Sequence, residues 1–231
     1  IWESGPTRLL DYGATSSVGK SGRPVLVVPS LVNRSYIMDL AEDHSFLRFL
    51  SSRGLRPLLI DWGIPGPNEL GRSLSNYIAG DMASALDIAV GIANDIPVPL
   101  IGYCMGGTLT AALAAISPGK ISALVLLAAP WDFHVGTDGP PVAVTAGRAG
   151  LEQLISAEGC LSVDALQSMF FSIDPLQGWT KFQAFSKIAV DSRAAESFVA
   201  LEDWLNDGVP LAAGVARDCL FGWYGDNSPA R

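Results

Sequence analysis

The sequence has little of what builds metal sites and disulfide scaffolds. Two histidines and three cysteines (Cys104, Cys160, Cys219), with no C-x-x-C, leave no zinc-site pattern, and an odd cysteine count argues against a disulfide framework. No metal is therefore expected, and a reducing compartment, the cytoplasm, suits three free thiols. Positive charge is also short: 15 Lys and Arg against 23 Asp and Glu leave a net charge of −8, which disfavours nucleic acid or anionic lipid as a partner. The chain opens without a basic segment followed by an apolar run, so no signal peptide is read. Its first residue is Ile1 rather than Met, which suggests a missing or processed start.

Apolar residues are plentiful, at 49% of 231, enough for a sizeable core. The stretch from Ile96 to Gly119 carries no charge at all. A membrane span competes for it, but Pro97, Pro99, Pro118 and a cluster of glycines would break a spanning helix and suit a strand, a turn and a helix instead. No transmembrane segment is expected.

Within that stretch Gly102, Cys104 and Gly106 form G-x-C-x-G, the nucleophile-elbow pattern with cysteine in place of serine. A nucleophile on a tight strand-to-helix turn needs neighbours without side chains, and glycine on either side supplies the room. The small, uncharged helix start (Gly106, Gly107, Thr108) would aim free N–H groups and the positive end of the helix dipole at the sulfur. A buried structural cysteine is the competing reading, and the surrounding elements must decide.

Those elements alternate. Short strands are expected at Thr7 to Tyr12, Pro24 to Pro29, Pro57 to Asp61, Pro99 to Tyr103 and Ser122 to Ala128, with helices at Asp43 to Arg53, Leu74 to Ala93 and Gly106 to Ile116. This predicts an α/β fold, a parallel sheet covered by helices, over residues 1–134. Ser30 to Asn33, Trp62 to Pro65, Cys104 with Met105, and Pro130 to His134 would then meet at the strands' C-terminal edge, where such sheets do their chemistry. Residues 135–231 read as a helical cap, with helices at Val142 to Leu154, Val163 to Phe171, Trp179 to Ile188 and Ala194 to Trp204, and the start of a return to the core. Phe170, Phe171, Trp179, Phe182 and Phe185 are expected to be packing residues.

Four segments carry a family resemblance: Val27 to Leu40 (VVPSLVNRSYIMDL), Leu59 to Trp62 (LIDW), Gly102 to Thr108 (GYCMGGT) and Asp203 to Gly208 (DWLNDG). With them the chain, from about Gly22 to Arg231, resembles polyhydroxyalkanoate synthases of the α/β-hydrolase fold. The resemblance implies that Cys104 takes a hydroxyacyl group from a coenzyme A thioester and passes it to a growing polyester chain. Coenzyme A enters as part of the substrate, and no resident cofactor is implied. Met105 N–H is expected as one oxyanion donor, with Leu31 or Val32 as the other. A homodimer or a partner subunit is compatible with the resemblance.

The same resemblance implies an acid and a histidine on later strands, and neither is found before Arg231. Asp132 and His134 lie on the right edge but so close together that Asp132 is expected to anchor its loop, and His44 is expected at a helix start. The economical expectation is a C-terminally incomplete sequence, inactive and poorly soluble alone, with Ser122 to Ala128 as an uncovered sheet edge. A thioesterase or esterase with the same elbow, and a catalytically inactive partner subunit, remain as alternative functions.

Overall fold

The computed structural model describes residues 1–136, 139–173 and 175–231. In chain order come β1 (Trp2–Ser4), β2 (Thr7–Asp11), β3 (Arg23–Val28), β4 (Asp39–Ala41), β5 (His44–Ser45), α1 (Phe46–Ser52) and β6 (Leu55–Asp61). Then α2 (Leu74–Asn76) runs through a π-helical turn (Tyr77–Met82) into α3 (Ala83–Ile92), followed by β7 (Val98–Tyr103), α4 (Met105–Ile116) and β8 (Ile121–Leu127). The remainder is α5 (Val142–Glu158), β9 (Cys160–Leu161), α6 (Val163–Ile173), α7 (Gln177–Phe185), α8 (Arg193–Asn206), β10 (Leu211–Ala212) and α9 (Ala213–Arg217), which continues as a π-helical segment (Asp218–Gly225).

Six strands form one sheet in the order β1-β2-β6-β3-β7-β8, with β6, β3, β7 and β8 parallel and β1 and β2 antiparallel on one side. The central strands are apolar runs because both faces are covered. On β3, Leu26 and Val28 join Met82 of the π-helical turn, Leu86 of α3 and Leu109 and Leu113 of α4, while Val25 and Val27 face Leu47 of α1 and Met38. Leu26 sits opposite Leu58 of β6 and Leu100 of β7, which sets the register of the core.

Two expectations need correction, and one strand pair was not anticipated. The helix expected from Asp43 begins at Phe46, because Ser45 caps it by accepting the Arg48 N–H at 3.0 Å, and His44 lies in the small β4–β5 hairpin before it. The antiparallel β9–β10 pair in the cap region is too short to leave a periodic signal. The cap aromatics are not packing residues as a group: Phe170, Phe171, Trp179 and Phe182 are exposed, although Phe182 meets Phe198 edge-on at 5.7 Å and Phe185 stacks on the same ring at 4.2 Å. The edge strand β8 is as expected, with Leu124, Val125 and Leu126 exposed.

The junction of β7 and α4 is where packing constrains the chain most. A Cβ on Gly106 would lie 2.2 Å from Val28 O and 2.5 Å from Pro29 O, and one on Gly102 would lie 2.5 Å from Gly107 Cα. These are backbone atoms, which cannot turn away as a side-chain tip can. Gly106→Ala is expected to destabilise the fold by more than about 3 kcal/mol in urea unfolding. Gly119→Ala, with nothing within 4 Å of the added Cβ, should stay within about 0.5 kcal/mol of the parent.

A second prediction concerns acid. Burial pushes the Asp11 carboxyl up, but the Arg56 guanidinium at 2.6 Å and the Gly13 N–H outweigh it, so the group lies below its ordinary value. A depressed folded value stabilises the fold above the unfolded value of about 3.9 and loses that contribution as pH falls through it. Asp11→Asn should therefore flatten the loss of stability below about pH 4, read by urea midpoints across pH.

Candidate active site

Cys104 stands between β7 and α4 with φ 52° and ψ −128°, a backbone region that residues with side chains rarely occupy. Its own N–H is held by Leu127 O at 2.8 Å, and its carbonyl accepts the Gly107 N–H at 2.8 Å. The residue is thus clamped from β8 on one side and from its own helix on the other. Thr108 Oγ1 donates to Pro130 O at 2.6 Å and Thr110 Oγ1 to Gly107 O at 2.8 Å, which ties the first turn of α4 to the loop after β8. Ala128 in that loop also has a positive φ, 49°, and Ala129 Cβ packs against Gly107, where an added Cβ would come within 2.4 Å. Strain is concentrated around the one partly exposed cysteine that sits at a helix start.

Hydrogen-bond donors surround the turn. Met105 is the first residue of α4, so its N–H has no acceptor inside the helix. Gly106 abuts Val28 and Pro29, which brings the loop after β3 beside the helix start. In that loop the Val32 N–H is donated to Ser30 Oγ at 3.1 Å, whereas the Leu31 N–H has no acceptor among the described residues. Trp62 Nε1 donates to Pro29 O at 3.1 Å and fixes the loop from β6. Cys104, Met105, Gly102, Gly106 and Gly107 therefore come together with the Leu31–Val32 loop at the C-terminal ends of the parallel strands.

Two features had no clear sequence signal. The loop after β3 is strapped to the end of α8 and the segment after it: Val209 N–H donates to Val32 O at 3.0 Å, Asn33 bridges Gly208, and Trp204 Nε1 donates to Arg34 O at 2.7 Å. The second is an aromatic clamp in which Phe133 packs on Trp223 and Tyr224, with ring centroids 5.4 and 4.8 Å away. Burial, then charge on Cys219 and on Cys104, raises the Tyr224 hydroxyl, and burial followed by Cys104 does the same at Tyr103.

His44 lies in the β4–β5 hairpin and not at the expected helix start, whereas Asp132 anchors the loop after β8 as expected. His44 is exposed and pairs with Asp43 at 3.1 Å. Asp132 accepts from the His134 N–H at 3.0 Å and from Asn227 Nδ2 at 2.8 Å, an anchor for its loop, and His134 Nε2 meets Tyr224 O at 2.9 Å. The other two thiols are less suited to attack: burial pushes Cys219 far up, and burial with Glu158 raises Cys160. No helix among the described residues is long and apolar enough to cross a membrane.

Comparison with known proteins adds the lineage. A family model described as the alpha/beta hydrolase fold matches residues 23–148, more than half of the chain. The poly(3-hydroxyalkanoate) polymerase subunit PhaC of Synechocystis sp. is 31% identical over 88% of this chain and 55% of its own length. The PhaC subunit of Haloferax mediterranei is 30% identical over 100% of this chain and 47% of its own. The chain thus spans about half the length of the curated relatives it matches. Among solved structures, a carboxylesterase of the thaumarchaeon Nitrososphaera gargenis superposes with a TM-score of 0.53 at 12% identity, covering 97% of this chain and 71% of that one, a likeness of fold alone. The chain belongs to the alpha/beta hydrolase fold family and, within it, is a relative of the poly(3-hydroxyalkanoate) polymerases.

Proposed function

We propose that this chain carries the acyl-transfer centre of a polyhydroxyalkanoate synthase, with Cys104 as the acyl carrier. The observation that carries the reading is the strained elbow: a partly exposed cysteine at φ 52°, ahead of a helix whose first N–H is uncommitted. Once deprotonated, the Cys104 sulfur attacks the thioester carbonyl of a hydroxyacyl-CoA. The carbonyl oxygen takes up the electron pair, and collapse expels coenzyme A thiolate, which leaves a hydroxyacyl thioester on Cys104. Exchange of one thioester for another conserves the bond type, so no further energy source is needed. The hydroxyl end of a polyester chain then attacks this thioester and releases the cysteine with the chain lengthened by one unit.

The developing oxyanion needs donors already in place. Met105 N–H is one, and Leu31 N–H fits the second role better than Val32, whose N–H is already given to Ser30 Oγ. The glycines at 102, 106 and 107 hold the turn and do not touch the substrate. Coenzyme A enters and leaves as part of the substrate, and three free thiols fit a reducing compartment such as the cytoplasm. A dimer or a partner subunit is compatible with this reading.

The test is to incubate the chain with 3-hydroxybutyryl-CoA and follow intact mass, peptide position and released coenzyme A. The expected result is a single slow hydroxybutyryl transfer to Cys104, without the sustained turnover that the implied acid and histidine would support, absent in Cys104→Ala and formed at least about a hundredfold more slowly in Cys104→Ser, whose hydroxyl is a poorer nucleophile without deprotonation. Acylation elsewhere, or none, contradicts the reading. Turnover to free hydroxy acid, with no chain extension when hydroxyl acceptors are supplied, would assign a thioesterase instead.

A further inference from the structure

We propose that Asp61 and Trp62, consecutive residues at the end of β6, are positioning residues that hold the loop after β3 so that the Leu31 N–H meets the oxyanion formed at Cys104. The inference rests on the acyl-carrier reading above and gives a role to Asp61, which that reading leaves unused. Trp62 continues the sheet face of Leu58 and Ile60, whereas Asp61 continues that of Leu59. The pair therefore grips the loop from opposite faces. Trp62 Nε1 donates to Pro29 O at 3.1 Å, where the loop begins. Asp61 Oδ1 accepts from Ser35 Oγ at 3.1 Å, where the loop passes into a short 3-10 helix (Ser35–Met38).

Both anchors are themselves held. Asp61, Trp62 and Ser35 are all buried, and a buried carboxylate needs compensation. Arg8 of β2, directly opposite Asp61 in the sheet, pairs with Oδ2, and the Gly63 N–H approaches Oδ1 at 3.4 Å. Arg8 thereby fixes the direction of the carboxylate and leaves Oδ1 to Ser35. Trp62 is held by an edge-on contact with Tyr77, ring centroids 5.5 Å apart. The Pro29 end of the loop is pressed against the start of α4 at Gly106, so a shift there moves Leu31 relative to Cys104. A donor for developing charge works only when it is already in place, and a misplacement of about 1 Å can cost on the order of a hundredfold in rate.

The experiment compares two reactions of Cys104 in the same chain. Acylation by 3-hydroxybutyryl-CoA builds negative charge on the carbonyl oxygen, whereas in alkylation by iodoacetamide the sulfur displaces iodide and no oxyanion forms. Trp62→Phe keeps an aromatic ring but loses the donor to Pro29, and Ser35→Ala loses the donor to Asp61. Each should lower the limiting acylation rate at least about tenfold, with the half-saturating thioester concentration and the alkylation rate within about twofold of the parent. Asp61→Asn, whose amide oxygen still accepts from Ser35, should stay within about threefold, while Asp61→Ala should match Ser35→Ala. Equal losses of acylation and alkylation would mark damage to the elbow and overturn the proposal. Acylation of the parent that neither Trp62→Phe nor Ser35→Ala slows also overturns it and leaves the acyl-carrier reading intact. No acylation of the parent overturns the acyl-carrier reading instead. The grip is then read from amide hydrogen exchange over residues 30–35: faster exchange in both variants supports it, and unchanged exchange overturns it.

Discussion

The structure depends on one strained turn. Cys104 is held at φ 52° and ψ −128°, a conformation costing of order 1–3 kcal/mol, which persists because the surroundings over-determine it. The Leu127 carbonyl holds its N–H, Gly106 lets α4 approach the Val28 and Pro29 carbonyls, and Gly107 admits Ala129. These contacts come from β3, β8 and the loop after β8, so the parallel sheet has to form before the turn can be stable. In return, the turn lifts a sulfur out of the sheet edge and places it beside a helix N-terminus, where backbone donors are in excess.

Around this turn the cap region does more than cover the sheet. The segment after α8 is bonded to the loop after β3 through Val209, Gly208 and Trp204, and Arg34 adds a contact to Asp207 at 3.2 Å. The loop that presents Leu31 is therefore fixed from outside the sheet as well as from Trp62 within it. At the other end of the site, Asn227 donates to Asp132 and accepts from the Phe133 N–H at 2.8 Å, so the last described turns steady the loop after β8. Positioning of the Leu31 loop and of Cys104 is shared between core and cap.

Much of this was legible in the sequence because the relevant forces are local. Buried parallel strands leave continuous apolar runs such as Val25 to Val28 and Leu58 to Ile60, and the elbow needs glycines at fixed offsets, so the parallel strands and the turn at Cys104 could be read directly. Long-range contacts were harder. Nothing near Phe170 says that α6 will lack a partner on that side, and amphipathic spacing alone placed it in a core where it is exposed. Choosing Leu31 over Val32 required the Ser30 side-chain bond, which depends on how the loop turns. Tyr224 packs on Phe133 and meets His134 from far along the chain, and no spacing rule connects them.

The central claim is that Cys104, unlike the other two thiols, is placed to act as a nucleophile. The most direct measurement is timed alkylation of the folded chain with iodoacetamide at neutral pH, followed by peptide mapping, with and without prior exposure to a hydroxyacyl-CoA. The account predicts that Cys104 is modified first, ahead of Cys160 and buried Cys219, and that the thioester substrate protects it. Modification of Cys160 or Cys219 ahead of Cys104, or labelling of Cys104 that the substrate leaves unchanged, would contradict it.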